Sequence, residues 1–410
     1  MSKPELLRFA KCDSSMMKSA LAVVFCLPLL VNCAADSRDD ATDAQNDSTA
    51  MAPPVTQTTT TINDQVRQPE NNKAGSTTTT SLTPPPSTTT PRSSKGETQR
   101  SGVVAPYRGT AIPQAALAAP RLALKIDNAP TATPQEGIQE ADIVFEELVE
   151  GGLTRFLAIF HTKVPEAVGP IRSGRSTDIP LLMPFDGALF GWSGANWAFR
   201  RLLDTVAVTD VGVYRKPSDY WRRSDRPAPS NLWVRSGDLL RHVPPDVSLP
   251  EPIWPFRTLD LPVDSRAEPA DGVDIAWGSN DVSFKWSADV GGWQRFQNGE
   301  PHLAIDNEGA LVALAPQNVV IQFVKYLLSN EIDSNDARIP IAQISEGKGT
   351  AWILSDGKVI EGRWDKPNVT VHTRFTDTSG SPVAMTPGST WVLLVPRGAA
   401  SLINESEQKP

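Results

Sequence analysis

The stretch from Ala141 to His161, ADIVFEELVEGGLTRFLAIFH, decides how the first half of the chain is interpreted. Two runs of large apolar and β-branched residues flank Gly151-Gly152, a pair that suits a tight turn. The stretch therefore predicts two strands joined as a hairpin.

The segments around this hairpin predict strands that alternate with helices. Thr133-Pro134-Gln135-Glu136 has the pattern of a capping box, which predicts the start of a short helix, and NWAFRRLLD (196–204) predicts a second helix. Because such alternation is typical of a mixed sheet flanked by helices, the predicted fold of residues 106–250 is an α/β domain. Three short apolar runs are the other predicted strands: RLALKID (121–127), GALFGW (187–192) and VAVTDVGV (206–213).

The second half reads as strand after strand. AWILSDGKVIEGRW has the pattern of a hairpin with an Asp356-Gly357 turn, and residues 251–400 predict a β-rich domain. About 300 residues is more than one hydrophobic core usually serves, which favours two domains. The proline-rich stretch VPPDVSLPEPIWPF is the predicted boundary between them.

The beginning of the chain predicts export. Lys18 precedes an apolar run, Ala20 to Val31, that is shorter than the about 20 residues of a membrane-spanning helix. Since the run ends in Leu30-Val31-Asn32-Cys33, which is similar to a bacterial lipobox, residues 1–33 predict a lipoprotein signal peptide with lipidation at Cys33. The alternative is a secretory signal cleaved near Cys33, which would leave a free thiol.

Residues 34–105 consist mainly of Thr, Ser, Pro, Asn, Gln and Asp. Such a segment cannot bury enough apolar surface to fold, so we expect a disordered spacer, and the tail 401–410 is also predicted to be disordered. An anchored spacer places the folded part outside the cell membrane, facing the wall.

The composition excludes several classes of protein. The net charge of −8 argues against nucleic-acid binding, which needs a basic surface. The cysteines, Cys12, Cys26 and Cys33, all precede the folded part, and the four histidines show no paired metal-ligand spacing. The sequence therefore predicts neither a metal site nor a cofactor.

Two long motif blocks resemble the YerB-type lipoprotein family, a domain of unknown function in bacterial envelope proteins. They run from LALKIDNAP to GPIRSGRSTD and from GRW to PGSTWVLLVP. The resemblance implies an exported lipoprotein with a two-part ectodomain, and it implies no activity. Where the family typically has Ala-Pro-His-Asn-Leu, this chain has Ala228-Pro229-Ser230-Asn231-Leu232. A role that needs the histidine is thereby excluded, whereas Asn231 matches and remains a candidate.

GPIRSGRSTD (169–178) carries the candidate ligand site. Arg172 and Arg175 offer planar guanidinium forks, and the predicted helix after Ser193 begins among small residues that would leave its N-terminal amides open to an anion. In the alternative, both arginines pair with nearby glutamates and only hold the sheet. Trp192 and Trp221 are candidates for stacking on a sugar. The predicted ligand-binding residues are Asp127, Asn128, Glu146, Glu150, Arg155, Arg172, Ser173, Arg175, Ser193, Asn196 and Asn231.

Catalysis is the competing hypothesis. Ser193 lies in Gly191-Trp192-Ser193-Gly194-Ala195, between a predicted strand and a helix, as in a nucleophile elbow, although no histidine signature accompanies it. Glu146, Glu147 and Glu150 offer paired carboxylates for acid–base work on a glycan, unless Glu147 or Glu150 bridges to Arg155 across the hairpin.

Three functions follow from these patterns. The first is a wall-facing lipoprotein that binds a wall or envelope component through its phosphate or carboxylate. The second is an envelope hydrolase or transferase that uses Ser193 or the glutamates. The third is a scaffold that binds envelope proteins such as wall-synthesis enzymes. In each, the membrane is contacted through the lipid anchor.

Replacing Cys33 with Ala should move the protein from the membrane fraction to the medium, because the acyl chains on that cysteine are the predicted anchor. Cell fractionation of wild type and variant measures the shift. Cys26→Ala, inside the apolar run, is the matched control and should stay in the membrane fraction. Identical partitioning of wild type and Cys33→Ala would contradict lipidation.

Overall fold

A computed structural model describes residues 102–260, 263–332 and 337–404, except for the side chain of residue 331. The expectations for the signal peptide, Cys33, the spacer up to residue 101 and residues 405–410 lie outside this part. Within it, no helix has the length and apolar character to cross a membrane.

The described residues form short helices and many strands. The α-helices are α1 (Asp178–Leu182), α2 (Trp197–Leu203) and α3 (Ser236–Leu240). The strands of the first half are β1 (Val103–Val104), β2 (Ala111–Ile112), β3 (Leu122–Asp127), β4 (Gln135–Glu136), β5 (Ile143–Leu148), β6 (Thr154–Phe160), β7 (Ala167–Val168), β8 (Leu189–Gly191), β9 (Thr209–Asp210), β10 (Tyr220–Arg222) and β11 (Leu232–Arg235).

The second half continues with strands alone. They are β12 (Glu268–Pro269), β13 (Gly272–Ala276), β14 (Asp281–Ser287), β15 (Gly292–Gln297), β16 (Glu300–Pro301), β17 (Leu303–Ile305), β18 (Leu311–Ala313), β19 (Asn318–Val324), β20 (Tyr326–Ile332), β21 (Arg338–Ala342), β22 (Gly347–Ser355), β23 (Lys358–Lys366), β24 (Arg374–Asp377), β25 (Thr390–Pro396) and β26 (Ala400–Ile403).

One central sheet takes strands from both halves of the chain. Its order is β12-β23-β22-β19-β25-β5-β6-β3-β8-β9, with β24 added beside β23. The halves meet where β25 pairs in parallel with β5, while β5 and β6 form the predicted antiparallel hairpin. The division into domains 106–250 and 251–400 stays a prediction, and both segments contribute to this sheet.

The central sheet is covered on both faces, because its strands place apolar side chains alternately on each side. On β6, Phe156 and Ala158 belong to one core and Leu157 and Ile159 to the other. The first core also includes residues of β13, β14 and β15, which belong to a five-stranded sheet of order β16-β15-β14-β13-β26. The second core is closed by loops and by α1 and α2.

The predicted α/β fold of residues 106–250 is wrong, since this region is built mainly from strands. Helices α1, α2 and α3 contain 5, 7 and 5 residues. At 1.5 Å of rise per residue they are too short to flank a sheet as helical layers. The predicted helix at 196–204 is confirmed as α2, and the Asp-Gly hairpin is confirmed as β22 and β23.

The helix predicted from the capping box at Thr133 does not form. Gln135 and Glu136 instead make β4, which pairs in parallel with β17 of the second half. The Gln135 amide donates to the Asp127 carbonyl oxygen at 3.0 Å, and its Oε1 lies 2.7 Å from Nε2 of His302. Buried tertiary contacts thus override the local helix signal.

Candidate functional site: an arginine-lined cleft

A cleft of about 790 Å³ opens at the turn that joins β5 and β6, where the segment 169–178 passes the end of the hairpin. The lining residues come from the hairpin, from the end of β3, from the segment 169–178, from the loop before α2, from Tyr214 and from the facing ends of β20 and β21. The predicted site residues that the structure brings together here are Asp127, Glu150, Arg155, Arg172, Ser173, Arg175 and Asn196.

Glycine is required at the hairpin turn that borders the cleft. Gly151 and Gly152 both adopt positive φ, 71° and 73°. A Cβ atom on Gly152 would lie 2.8 Å from the backbone nitrogen of Ser279, so a side chain would also collide with the second half. The turn places Glu150 at the cleft wall.

Arg175 is held by a two-point ion pair. Its Nε lies 2.6 Å from Oε1 of Glu150, and its Nη2 donates to Oε2 at 2.8 Å. Its backbone N–H donates to Oδ2 of Asp178, also at 2.8 Å. Both Arg175 and Glu150 are buried. Arg175 therefore matches the alternative in which the arginine pairs with a glutamate and holds the sheet.

Arg172 remains more accessible. Its Nε lies 3.1 Å from Oδ2 of Asp127, and 25% of its side chain is exposed. The hydroxyl of Ser230 donates to the same Asp127 oxygen at 2.8 Å, which fixes the carboxylate. Ser230 occupies the position where the family typically has a histidine. This difference from the family therefore lies next to Asp127, a residue of the cleft lining.

Arg155 is the third guanidinium of the cleft. Its Nη1 donates to the Ser173 carbonyl oxygen at 3.1 Å, and no carboxylate of the described residues forms an ion pair with it. Burial, followed by the positive charges of Arg175 and Arg172, lowers the pKa of Arg155 to about 9, so the group remains a cation at neutral pH. Among the residues that the structure describes, three guanidinium groups therefore face two lining carboxylates.

A buried ion cluster lies beneath the cleft. Lys125 forms ion pairs with Glu147 and, at 2.7 Å, with Asp178, and all three side chains are inaccessible to solvent. Burial and then the charge of Asp178 raise the pKa of Glu147 to about 7. Although Glu147 is opposite Arg155 in the hairpin register, its partner is Lys125. A lysine within the apolar run LALKID was the sequence signal for this cluster.

Glu146 points to the opposite face of β5 and is buried there. It accepts from Nη2 of Arg295 and from Oγ1 of Thr154, both at 2.8 Å. Asn128 donates to Thr154 at 2.7 Å and to Gln297 at 2.9 Å. Glu146 and Asn128 therefore connect the hairpin to the second half and do not line the cleft.

The remaining predicted residues have structural partners. The Ser193 hydroxyl donates to the Ile171 carbonyl oxygen at 3.0 Å, and no histidine of the described residues is bonded to it. Asn196 Oδ1 accepts from the Phe199 backbone N–H at 2.8 Å. One of the N-terminal amides of α2 that were predicted to bind an anion is therefore already hydrogen-bonded. Asn231 accepts from Arg222 at 2.6 Å and lies outside the cleft.

The fold and the site define a β-rich protein with an arginine-lined cleft at the turn of its central hairpin. The chain belongs to the family described as Protein of unknown function (DUF3048): its N-terminal domain model matches residues 109–246 and its C-terminal domain model residues 273–392. Together with the similarity to a YerB relative of Bacillus subtilis, these matches confirm the YerB-type family that the sequence predicts.

The comparisons also identify a relative and a solved structure. The chain is 31% identical over 300 residues to "Putative lipoprotein YerB" of Bacillus subtilis (strain 168), an alignment that covers 70% of this chain and 84% of the relative. The crystal structure of the YerB protein from Bacillus subtilis matches with a TM-score of 0.63 at 26% identity, over 74% of this chain and 100% of the solved one.

Arg175→Ala should lower the free energy of unfolding by about 3–5 kcal/mol, because it leaves the buried carboxylate of Glu150 without its partner. Arg172→Ala should cost about 1 kcal/mol or less, since this ion pair is partly exposed. Urea denaturation of both variants measures the difference. Equal losses would contradict the separate roles of the two arginines.

Proposed function

We propose that this protein is a cell-envelope lipoprotein whose arginine cleft binds the phosphate or carboxylate group of a wall or envelope component. The observation that carries the proposal is the convergence of Arg155, Arg172 and Arg175 on one cleft, where the carboxylates among the described lining residues are Asp127 and Glu150. An added anion would balance the positive charge that remains among these residues.

The proposed location rests on two observations. The relative in Bacillus subtilis bears the name "Putative lipoprotein YerB", and the stretch Leu30-Val31-Asn32-Cys33 resembles a lipobox. Lipidation of Cys33 would anchor the chain outside the cell, and the residues that follow would serve as a spacer up to the folded part.

The guanidinium groups favour an oxyanion ligand for geometric reasons. A guanidinium presents its N–H donors as a planar fork that matches the two oxygens of a carboxylate or phosphate. Because Arg175 is occupied by Glu150, we assign to the ligand the partly exposed Arg172 and Arg155, which forms no ion pair with a carboxylate of the described residues. Mutual repulsion among the three cations, which also lowers the pKa of Arg155, would be relieved by the anion.

The geometry supports the enzymatic alternatives less well. The hydroxyl of Ser193 donates to a backbone carbonyl and has no histidine bonded to it among the described residues. Glu146 and Glu147 are buried and paired with Arg295 and Lys125, so neither carboxylate faces the cleft. We therefore assign binding, and no reaction, to this site.

Arg172→Ala should weaken sulfate binding by at least about tenfold, the effect expected when a hydrogen bond to a charged group of about 1.5–3 kcal/mol is lost. Isothermal titration of the full-length protein at low salt measures the affinity. Arg201→Ala is the matched control, because Arg201 is an exposed arginine outside the cleft. Equal weakening by both changes would indicate non-specific attraction and contradict the proposal.

Sulfate affinity should rise as the pH falls from 8 to 6. Glu147, with a pKa raised to about 7, takes up a proton in this range and removes a negative charge beside Lys125, Asp178 and Arg175. Sulfate itself does not titrate there, so the change reports the protein. Glu147→Gln should bind like the protonated protein at both pH values. A pH dependence that persists in Glu147→Gln would assign the effect to another group.

A further inference from the structure

A second, smaller cleft of about 300 Å³ adjoins the arginine cleft. Tyr214 is common to the linings of both clefts. A ligand that extends from the arginines toward the second cleft must therefore pass over the Tyr214 side chain. Sequence reasoning did not identify this tyrosine, because nothing in the surrounding residues marks it.

The Tyr214 ring is exposed and held in place by its neighbours. The side chain is 60% exposed. The guanidinium of Arg200 lies 4.4 Å from the ring centroid, and the ring of Trp192 lies at 5.9 Å. Trp192 is itself buried and donates from Nε1 to Asp210 at 2.8 Å. A ring positioned in this way loses little conformational entropy when a ligand packs on it.

The arginine cleft is larger than an inorganic oxyanion requires. Its volume of about 790 Å³ falls in the range of sites for organic ligands, roughly 300–1,000 Å³. Gly194 lies between Tyr214 and Ser173, since a Cβ atom on it would be 4.0 Å from the Tyr214 hydroxyl oxygen and 3.0 Å from that of Ser173. Asn196, two residues further along the chain, also lines the cleft. Of the large apolar side chains in the lining, Val149 and Ile339 are almost wholly buried and Ile332 is 53% exposed, so an alkyl sulfate is the probe that competes with a sugar.

We propose that the anion bound in the arginine cleft is carried by a sugar whose ring packs on Tyr214. This inference rests on the proposed function and names the class of its ligand. A pyranose ring has a face of C–H groups that suits an aromatic ring, and its hydroxyls suit hydroxyl and amide partners. The acid group pairs with Arg172 and Arg155, while Ser173 and Asn196 contact the hydroxyls. Trp192, the sequence candidate for stacking, is buried and supports the tyrosine.

The test compares three monoanionic sulfate esters: methyl sulfate, glucose 6-sulfate and octyl sulfate. Full-length protein should bind glucose 6-sulfate on the order of tenfold more tightly than methyl sulfate, an advantage that corresponds to one aromatic contact plus hydrogen bonds. Tyr214→Ala should remove this advantage and leave methyl sulfate binding unchanged, whereas Tyr214→Phe should retain it. Trp197→Ala is the matched control, since Trp197 is 66% exposed but lies outside the cleft.

Two results would overturn the sugar proposal while leaving anion binding intact. One is unchanged binding of glucose 6-sulfate by Tyr214→Ala, and the other is a preference for octyl sulfate over glucose 6-sulfate. Absence of sulfate binding, or sulfate binding that does not depend on Arg172, would overturn the proposed function and the sugar proposal together.

Discussion

Burial of the central sheet on both faces is the constraint on which the rest of the structure depends. On the middle strands β3, β5 and β6, which are buried almost throughout, a charged side chain has no access to water and must meet an opposite charge. Lys125 on β3 therefore lies between Glu147 and Asp178, and Glu146 meets Arg295. These ion pairs fasten distant segments to the central sheet. Asp178 holds the segment 169–178 on one face, and Arg295 holds the five-stranded sheet on the other.

The arginine cleft lies at the β5–β6 turn, next to the buried ion pairs of Lys125 with Glu147 and Asp178. Asp178 accepts from the Arg175 backbone N–H as well as from Lys125, so the buried cluster positions the segment that carries the arginines. Arg175 is paired with Glu150, Arg172 with Asp127 at a partly exposed position, and Arg155 donates to the Ser173 carbonyl oxygen. One short segment thus supplies stability through Arg175 and, by our proposal, ligand binding through Arg172.

Local patterns in the sequence predicted those elements whose signals lie within a few residues. The hairpin around Gly151-Gly152, helix α2 and the Asp-Gly hairpin follow from such patterns and form as expected. The capping box at Thr133 failed because the Gln135 side chain is bonded to groups brought by the tertiary fold. The α/β prediction failed for a related reason: its helices were inferred from local signals, and the sheet faces are covered largely by strands and loops.

The sequence by itself determined the period-two alternation of the strands, the turns and the presence of two arginines close together in GPIRSGRSTD. It indicated the family, and it placed Arg155, Arg172, Arg175 and Glu150 among the site residues. Only the tertiary structure decided which cation pairs with which carboxylate. Lys125 and Asp178 are 53 residues apart, and Arg295 and Glu146 are 149 apart. Such pairs depend on which segments the sheet brings together. A charged residue in the sequence does not specify its partner when that partner is distant along the chain.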